Sequence, residues 1–185
     1  MKGFRYGIAL AIIAALMNPL LATADDGGRR AKVFDVCVNP DPATGSVRLH
    51  DSGDGIPFTA GDGFVAVGII VPGGTIPAGG VLSCSSLASL RIGTFFAQGR
   101  IVVGLPDAAP NDLAYVDWQF RIDSKGAIDT TGPVKIVPIL GTYPQTITGA
   151  TGAFTSAKGQ ATTTALDANG FQIRLTVSSS RERED

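Results

Sequence analysis

The chain has 185 residues and a formal net charge of −1, and 17% of its residues are charged, against about 25% in an average soluble protein. Its length suits one domain with a substantial core, and the absence of a basic cluster argues against a nucleic-acid partner. The low charge content predicts a surface rich in uncharged Thr, Ser, Gly and Ala.

The first residues have the pattern of an export signal. Lys2 and Arg5 precede an apolar segment at 7–16, and the small residues at 22–24 (Ala-Thr-Ala) provide a cleavage site. Pro19 interrupts the apolar run well short of the ~20 residues that a membrane-spanning helix needs. We therefore expect residues 1–24 to be a signal peptide. The mature chain should have no membrane span and be secreted or periplasmic.

The following residues have the patterns of β-strands. Runs rich in Val, Ile, Thr and Phe, either apolar or alternating, occur at 32–38, 64–71, 92–104, 114–122, 127–131, 134–140, 160–166 and 171–177. The alternation is clearest at 114–122, where Val116, Trp118 and Phe120 share one face. Asp167-Ala-Asn-Gly170 predicts a hairpin turn before the last strand.

The predicted fold is all-β, a closed eight-stranded antiparallel β-barrel. No segment has an amphipathic helical period. Strands with no helix to cover their edges favour closure, because closure removes exposed edges. The single domain should span 25–180, followed by a charged tail at 181–185. We expect the last strand to pair with an early one, and its apolar face to join that of Val116, Trp118 and Phe120. That face consists of Phe171, Ile173, Leu175 and Val177.

Two loops, at 39–63 and 72–80, are rich in turn-forming residues. Asp51, Asp54 and Asp62 suggest a calcium site in the first, but their spacing does not match an EF-hand loop. With a single histidine in the chain, a structural zinc site is excluded. We expect a solvated loop, no metal and no cofactor.

Cys37 and Cys84 are the only cysteines. In an exported chain, two cysteines most simply form one disulfide. Such a bond would tie the first strand to the segment after the second loop.

A glycine-rich segment at 147–159 reads Ile-Thr-Gly-Ala-Thr-Gly-Ala-Phe-Thr-Ser-Ala-Lys-Gly. Glycines mark tight bends or close backbone approach, so the residues alone predict a turn between two strands. The segment lacks GxGxxG and a P-loop lysine, which excludes nucleotide-binding loops of those types.

This segment resembles the G-G-T-G-x-F-x-x-A-x-G motif of dirigent proteins and of plant allene oxide cyclases, which share an eight-stranded antiparallel barrel. Ala150 replaces the second glycine. The matching positions are Gly149, Thr151, Gly152, Phe154, Ala157 and Gly159. Residues 126–133 and 92–99 also resemble G-x-L-x-x-x-G-P of the cyclases and V-G-x-x-x-A-Q-G of the dirigents. The resemblance covers about residues 31–178. It implies a homotrimer and a small hydrophobic ligand in the lumen.

The cyclases place a Glu and, two residues on, an Asn on the first strand, and a second Asn after the second strand. Asp35 stands at the Glu position and Cys37 at the first Asn position, while Thr75 or Ala60 replaces the second Asn. Asp35 is therefore the only candidate acid. The family likeness turns it inward, whereas the apolar alternation of residues 34–38 turns it outward.

Three hypotheses follow from these patterns. The barrel could steer a hydrophobic ligand without acid–base groups, or it could be an isomerase or cyclase with Asp35 as general acid. It could also be a structural barrel whose lumen is packed with side chains. Plain core packing is the alternative role for Trp118. The aromatic residues expected to contact a ligand are Trp118, Phe120 and Phe96.

Overall fold

The computed structural model describes residues 31–38, 47–53, 55, 59–103, 113–135, 141–167 and 170–178. They form nine strands: β1 (Ala31–Val38), β2 (Val47–His50), β3 (Gly63–Pro72), β4 (Gly93–Val103), β5 (Leu113–Ile122), β6 (Gly126–Lys135), β7 (Thr142–Ala150), β8 (Gln160–Ala165) and β9 (Gln172–Ser178). Two 3-10 helices, Cys84–Leu90 and Gly152–Phe154, are the only helical segments in this part of the chain. No helix among these residues is long and apolar enough to cross a membrane. The signal pattern and the charged tail lie outside the described residues.

Eight of the strands close into an antiparallel barrel. The neighbours run in the order β1-β3-β4-β5-β6-β7-β8-β9, and β9 returns to β1. Asp35 of β1 lies opposite Val71 of β3 on one side and opposite Arg174 of β9 on the other. The predicted closed barrel is confirmed, and so is its closure by the last strand against an early one.

The ninth strand, β2, continues the line of β1 along β3. Val38 ends β1 opposite Gly68, and Val47 begins β2 opposite Ala66, with both strands antiparallel to β3. The prediction of one continuous loop at 39–63 was therefore wrong. A short and largely exposed strand has no buried face, so it gives no apolar pattern by which to identify it.

Two other strand predictions were wrong. The sequence predicts separate strands at 127–131 and 134–140, but β6 runs without a break from Gly126 to Lys135 in register with β5. Residues 136–140 lie outside the described part of the chain, as do the two central residues of the turn between β8 and β9.

β7 has no counterpart in the prediction, because one of its inward positions holds Gln145. A polar residue at an inward position weakens the apolar period.

The inward side chains of the barrel strands form one apolar core. Val116, Trp118 and Phe120 belong to the same buried cluster as the inward residues of β9, which are Ile173, Leu175 and Val177, with Phe171 packed against it. The predicted common face is therefore confirmed. Aromatic rings pack together in this core, since the ring centroid of Phe95 lies 5.4 Å from Trp118 and 5.3 Å from Phe120.

The glycine-rich segment closes the end of the barrel at which β7 ends and β8 begins. Its residues 151–159 form an end cap, and Phe154 enters the core with its ring 5.9 Å from that of Phe34. Gly126 and Gly152 both have positive φ, and a Cβ on either would collide with the backbone beside the other. The turn prediction is confirmed for 151–159, while 147–150 belong to β7.

Candidate functional site

A strap at residues 73–91 covers the outer face of β1, β3 and β9. A disulfide between Cys37 and Cys84 joins it to β1, with 5.6 Å between the two Cα atoms, which confirms the predicted pairing. Gln172 of β9 also holds the strap. Its Oε1 accepts a hydrogen bond from Val81 N, and its Nε2 donates one to Val81 O, both at 2.7 Å. The apolar cluster under the strap consists of Cys37, Val71, Ile76, Leu87 and Leu166.

Asp35 lies beneath this strap and is fully buried. The guanidinium of Arg174 donates to both carboxylate oxygens, from Nε to Oδ1 at 2.7 Å and from Nη2 to Oδ2 at 3.1 Å. The backbone N of Ile76 donates to Oδ2 at 2.9 Å, and Nη2 of Arg174 donates to Ile76 O at 3.0 Å. The hydrogen bond to Asp35 raises the pKa of Arg174, against the lowering effect of burial. This ion pair anchors the strap to the barrel.

Asp35 therefore does not face the lumen. It shares the outer face of the barrel with Val71 and Arg174, as the apolar alternation of β1 predicts. The inward orientation implied by the family likeness was wrong. The strap forms a second buried layer outside the barrel, which explains why the carboxylate is buried without entering the interior. A carboxylate held in this way is not placed to protonate a molecule in the lumen.

The other positions compared with the cyclases also lie outside the lumen. Cys37 is bonded to Cys84 beneath the strap. Thr75 belongs to the strap, where its Oγ1 donates to Pro72 O at 2.5 Å, and Ala60 is exposed in the turn before β3. The water-holding apparatus of the cyclases therefore has no counterpart at these positions.

The three expected aromatic ligand contacts are divided between two faces of the barrel. Trp118 and Phe120 lie in the core, where Trp118 is only 8% exposed. Phe96 lies on the outer face instead, opposite Val67 of β3, and is 40% exposed. Its placement with the lumen residues was wrong, because Phe95 takes the inward position on β4 and the next residue must point outward.

A row of polar side chains crosses the interior wall formed by four neighbouring strands. We call it the polar row, and it consists of Trp118 on β5, Thr130 on β6, Gln145 on β7 and Thr163 on β8. All four residues are buried. The atoms Trp118 Nε1, Thr130 Oγ1, Gln145 Oε1 and Nε2, and Thr163 Oγ1 have no hydrogen-bond partner among the described residues.

The strand register makes the polar row continuous. Trp118 lies directly opposite Thr130, and Gln145 and Thr163 follow at diagonal positions on the next two strands. Opposite and diagonal side chains on one face of a sheet lie about 4.5–8 Å apart. Gly132 leaves room for the amide of Gln145, since a Cβ there would lie 3.0 Å from both Oε1 and Nε2.

The polar row can hold the polar group of an uncharged molecule. Trp118 only donates hydrogen bonds, Gln145 donates and accepts, and the threonine hydroxyls do either. The buried charged residues of the described part are Asp35 and Asp62, and both are bound elsewhere, Asp35 by Arg174 under the strap and Asp62 by the first loop. More than 90% of buried polar groups in proteins have a partner, so several unpaired groups on one wall point to a guest molecule or to ordered water.

The outer face between β2 and β7 carries two shallow grooves, of about 400 Å³ and about 500 Å³. The grooves share Val65, Gln98 and Asp117. Asp129 lines the first groove, and its Oδ1 is buried without a partner among the described residues. Apolar side chains are exposed on the same face, namely Val65, Val67, Phe96, Val102 and Tyr115.

The aspartates of the first loop bind the backbone of that loop. Asp62 accepts hydrogen bonds from Ser52 N at 2.8 Å and from Thr59 N at 3.0 Å. The bond from Ser52 contributes most to lowering the pKa of Asp62. Asp51 accepts from the backbone two residues on, and Asp54 lies outside the described residues. Within the described ranges, no group of three or more His, Cys, Asp or Glu side chains could hold a metal ion.

Comparison with known proteins gives matches in structure only. No protein-family model and no curated protein matches the sequence. Pyocyanin demethylase is similar at a TM-score of 0.54 and 18% identity, covering 80% of this chain and 98% of that one. The Diels Alderase AbmU from Streptomyces koyangensis gives 0.54 and 18%, covering 86% and 73%. The pterocarpan synthase dirigent protein PsPTS1 gives 0.52 and 12%, covering 81% and 90%. At these identities the likeness shows the fold alone, a barrel of the dirigent and cyclase type.

Proposed function

We propose that this chain is an exported barrel that holds a small, mostly hydrophobic molecule in its lumen and steers its conformation. The observation that carries the proposal is the polar row, whose buried atoms have no partner among the described residues on one wall of an apolar core. Similar barrels named as a dirigent protein and a Diels Alderase support it. The leader pattern at 1–24 and the disulfide support export, because disulfides persist in oxidising compartments.

Such a barrel would act by confinement. A molecule held in a reactive geometry loses less freedom on reaching its transition state, so a reaction is favoured without a nucleophile or an acid. Trp118 and Phe120 provide apolar contact surface, and the polar row fixes the orientation of the guest through a few hydrogen bonds. No step requires Asp35, which is paired with Arg174 outside the lumen.

A packed, non-catalytic barrel is the second candidate. The contacts among the rings of Phe95, Trp118 and Phe120 favour it, because they fill part of the interior with side chains. In such a barrel the polar row would stay unpaired, at a cost of about 1–3 kcal/mol for each buried group. An isomerase with Asp35 as its acid has no comparable support, because that carboxylate does not reach the interior.

Thr130→Val is expected to raise the free energy of unfolding of the ligand-free protein by about 1 kcal/mol. Valine has nearly the shape of threonine and removes a buried hydroxyl that has no partner among the described residues. The same variant should retain less of the guest. Urea unfolding measures the first effect, and mass spectrometry of organic extracts from the exported protein measures the second.

Thr131→Val is the matched control, because Thr131 faces outward and its Oγ1 donates to Asp117 Oδ1 at 2.7 Å. We expect this control to be slightly less stable than the wild type and to retain the guest fully. A wild-type protein that carries no small molecule, together with a destabilised Thr130→Val variant, would contradict the proposal.

We also propose that the barrel assembles as a homotrimer through the outer face of β2 to β5. The exposed apolar side chains there form a surface that favours burial by a partner. Arg48 and Arg100 line one groove and Asp129 the other, so opposite charges can pair when the groove of one copy packs against that of the next.

Light scattering at micromolar concentration is expected to give three times the mass of the mature chain. Val67→Asp should dissociate the assembly, because it places an unpaired charge in the apolar surface. Thr162→Asp, at an exposed position on β8, should leave the mass unchanged. A monomeric mass for the wild type would exclude the trimer.

A further inference from the structure

We infer that the polar row selects a neutral, carbonyl-bearing molecule over both hydrocarbons and ions. This inference rests on the proposed function, since it requires a guest in the lumen. It concerns the chemistry of that guest, which the shape of the barrel does not specify.

The donors of the polar row suit an oxygen atom that only accepts hydrogen bonds. Trp118 Nε1 is a donor and nothing else, and Thr130, directly opposite, has a hydroxyl that can donate to the same acceptor. Gln145 Nε2 adds a further donor at the diagonal position. A carbonyl oxygen, with two lone pairs and no hydrogen, can accept from two of these groups at once.

A hydrocarbon guest would leave the polar row unpaired. Each buried donor or acceptor without a partner carries a desolvation cost, so a guest that pairs with none of them gains nothing from the row. Gln145 makes this cost largest, because neither its Oε1 nor its Nε2 has a partner in the described part of the chain.

An ionised guest is disfavoured because no buried charged side chain of the described residues shares the wall of the polar row. Asp35 is paired with Arg174 on the other side of the wall, and Asp62 binds the backbone of the first loop. Lys32 lies at the capped end, where its Nζ donates to Ala153 O. Transfer of an unpaired carboxylate or ammonium into such an interior is strongly unfavourable. The guest must therefore be neutral where it contacts the row.

Three small aromatic probes of similar size test this chemistry: ethylbenzene, acetophenone and benzoate. Acetophenone has a carbonyl where ethylbenzene has a methylene group, and benzoate carries a charge. Trp118 is the only tryptophan, so its Nε1–H gives the only indole signal in a ¹H–¹⁵N NMR spectrum. That signal reports directly on a hydrogen bond made by the polar row.

We expect acetophenone to shift the indole signal downfield and to bind about five- to tenfold more tightly than ethylbenzene, the usual worth of one hydrogen bond. Benzoate should not bind in the lumen. In Thr130→Val and in Gln145→Leu the preference for acetophenone should disappear, whereas Thr131→Val should keep it.

The possible outcomes separate the two proposals. If ethylbenzene and acetophenone bind equally tightly and both shift the NMR signals of core residues, the lumen holds a guest but the polar row does not recognise a carbonyl. That result would overturn this inference. If no probe perturbs the indole signal or the core signals, the proposed function fails as well. Tight binding of benzoate in the lumen would also overturn the inference.

Discussion

Arg174→Met is expected to lower the free energy of unfolding by about 3–5 kcal/mol, the usual effect of removing one partner from a buried ion pair. Asp35 is fully buried and receives two hydrogen bonds from the Arg174 guanidinium, so the variant leaves its carboxylate with the single N–H of Ile76. The hydrogen bond from Arg174 to Ile76 O is lost too, which loosens the strap. Urea unfolding of the purified variant measures the loss.

Arg121→Met is the matched control for this effect. Arg121 is exposed, and its guanidinium contacts the exposed side chains of Gln119, at 3.3 Å, and of Phe96, 5.9 Å from the ring centroid. We expect a change within about 0.5 kcal/mol. The double variant Asp35→Leu with Arg174→Met should recover most of the lost stability, because it leaves no unpaired buried charge. If Arg174→Met is as mild as the control, the pair does not hold the strap.

Substitution of Asp35 in this ion pair distinguishes a protein that steers its ligand from one that uses an acid catalyst. Asp35→Asn is expected to reduce stability and, where the variant remains folded, to leave binding in the lumen at the wild-type level. An acid-dependent isomerase would instead lose about 10²–10⁴-fold in rate. The position of Asp35 under the strap, outside the lumen, is the reason for expecting the first result.

Removal of the disulfide by Cys37→Ser with Cys84→Ser is expected to lower stability by about 4 kcal/mol in the chain-entropy model, given a sequence separation of 47 residues. The bond restricts the unfolded chain, so its loss favours the unfolded state. The strap should stay docked in the folded variant, because Gln172 and Asp35 still hold it. Urea unfolding with and without a reductant provides the measurement.

In the wild type the reductant should lower stability by the same amount as the double variant does. The double variant should not respond to the reductant, because it has no disulfide to lose. A wild-type protein whose stability does not change under full reduction would contradict the entropic role of this bond.

Much of the fold could be predicted from the sequence because the barrel separates its two faces cleanly. β5 alternates strictly between buried and exposed residues, and that period is visible in Val116, Trp118 and Phe120. β2 could not be predicted, because it is short and exposed and gives no apolar pattern. The prediction divided β6 between residues 131 and 134, although the chain continues through Pro133 in register opposite Tyr115.

The candidate site was harder to predict than the fold. Asp35 was chosen because it stands at the Glu position of the cyclases, but its partners Arg174 and Ile76 lie 139 and 41 residues away in sequence. Such a contact depends on tertiary structure, and no local pattern shows it. Gln145 was missed because a polar residue at an inward position resembles a break in a strand. Thr130 was missed because threonine is common on either face of a strand, although its strand was predicted. Both residues fall on the alternate positions of β6 and β7 that are buried. A polar residue at such a position indicates a polar group in the core.

The central claim, that the lumen holds a neutral guest on the polar row, is tested most directly by a crystal structure of the mature protein grown with acetophenone. We expect density for the ligand inside the barrel, with its carbonyl oxygen about 3 Å from Trp118 Nε1 or Gln145 Nε2. Ligand found only in the outer grooves beside Phe96 and Tyr115, with a dry and fully packed interior, would contradict it.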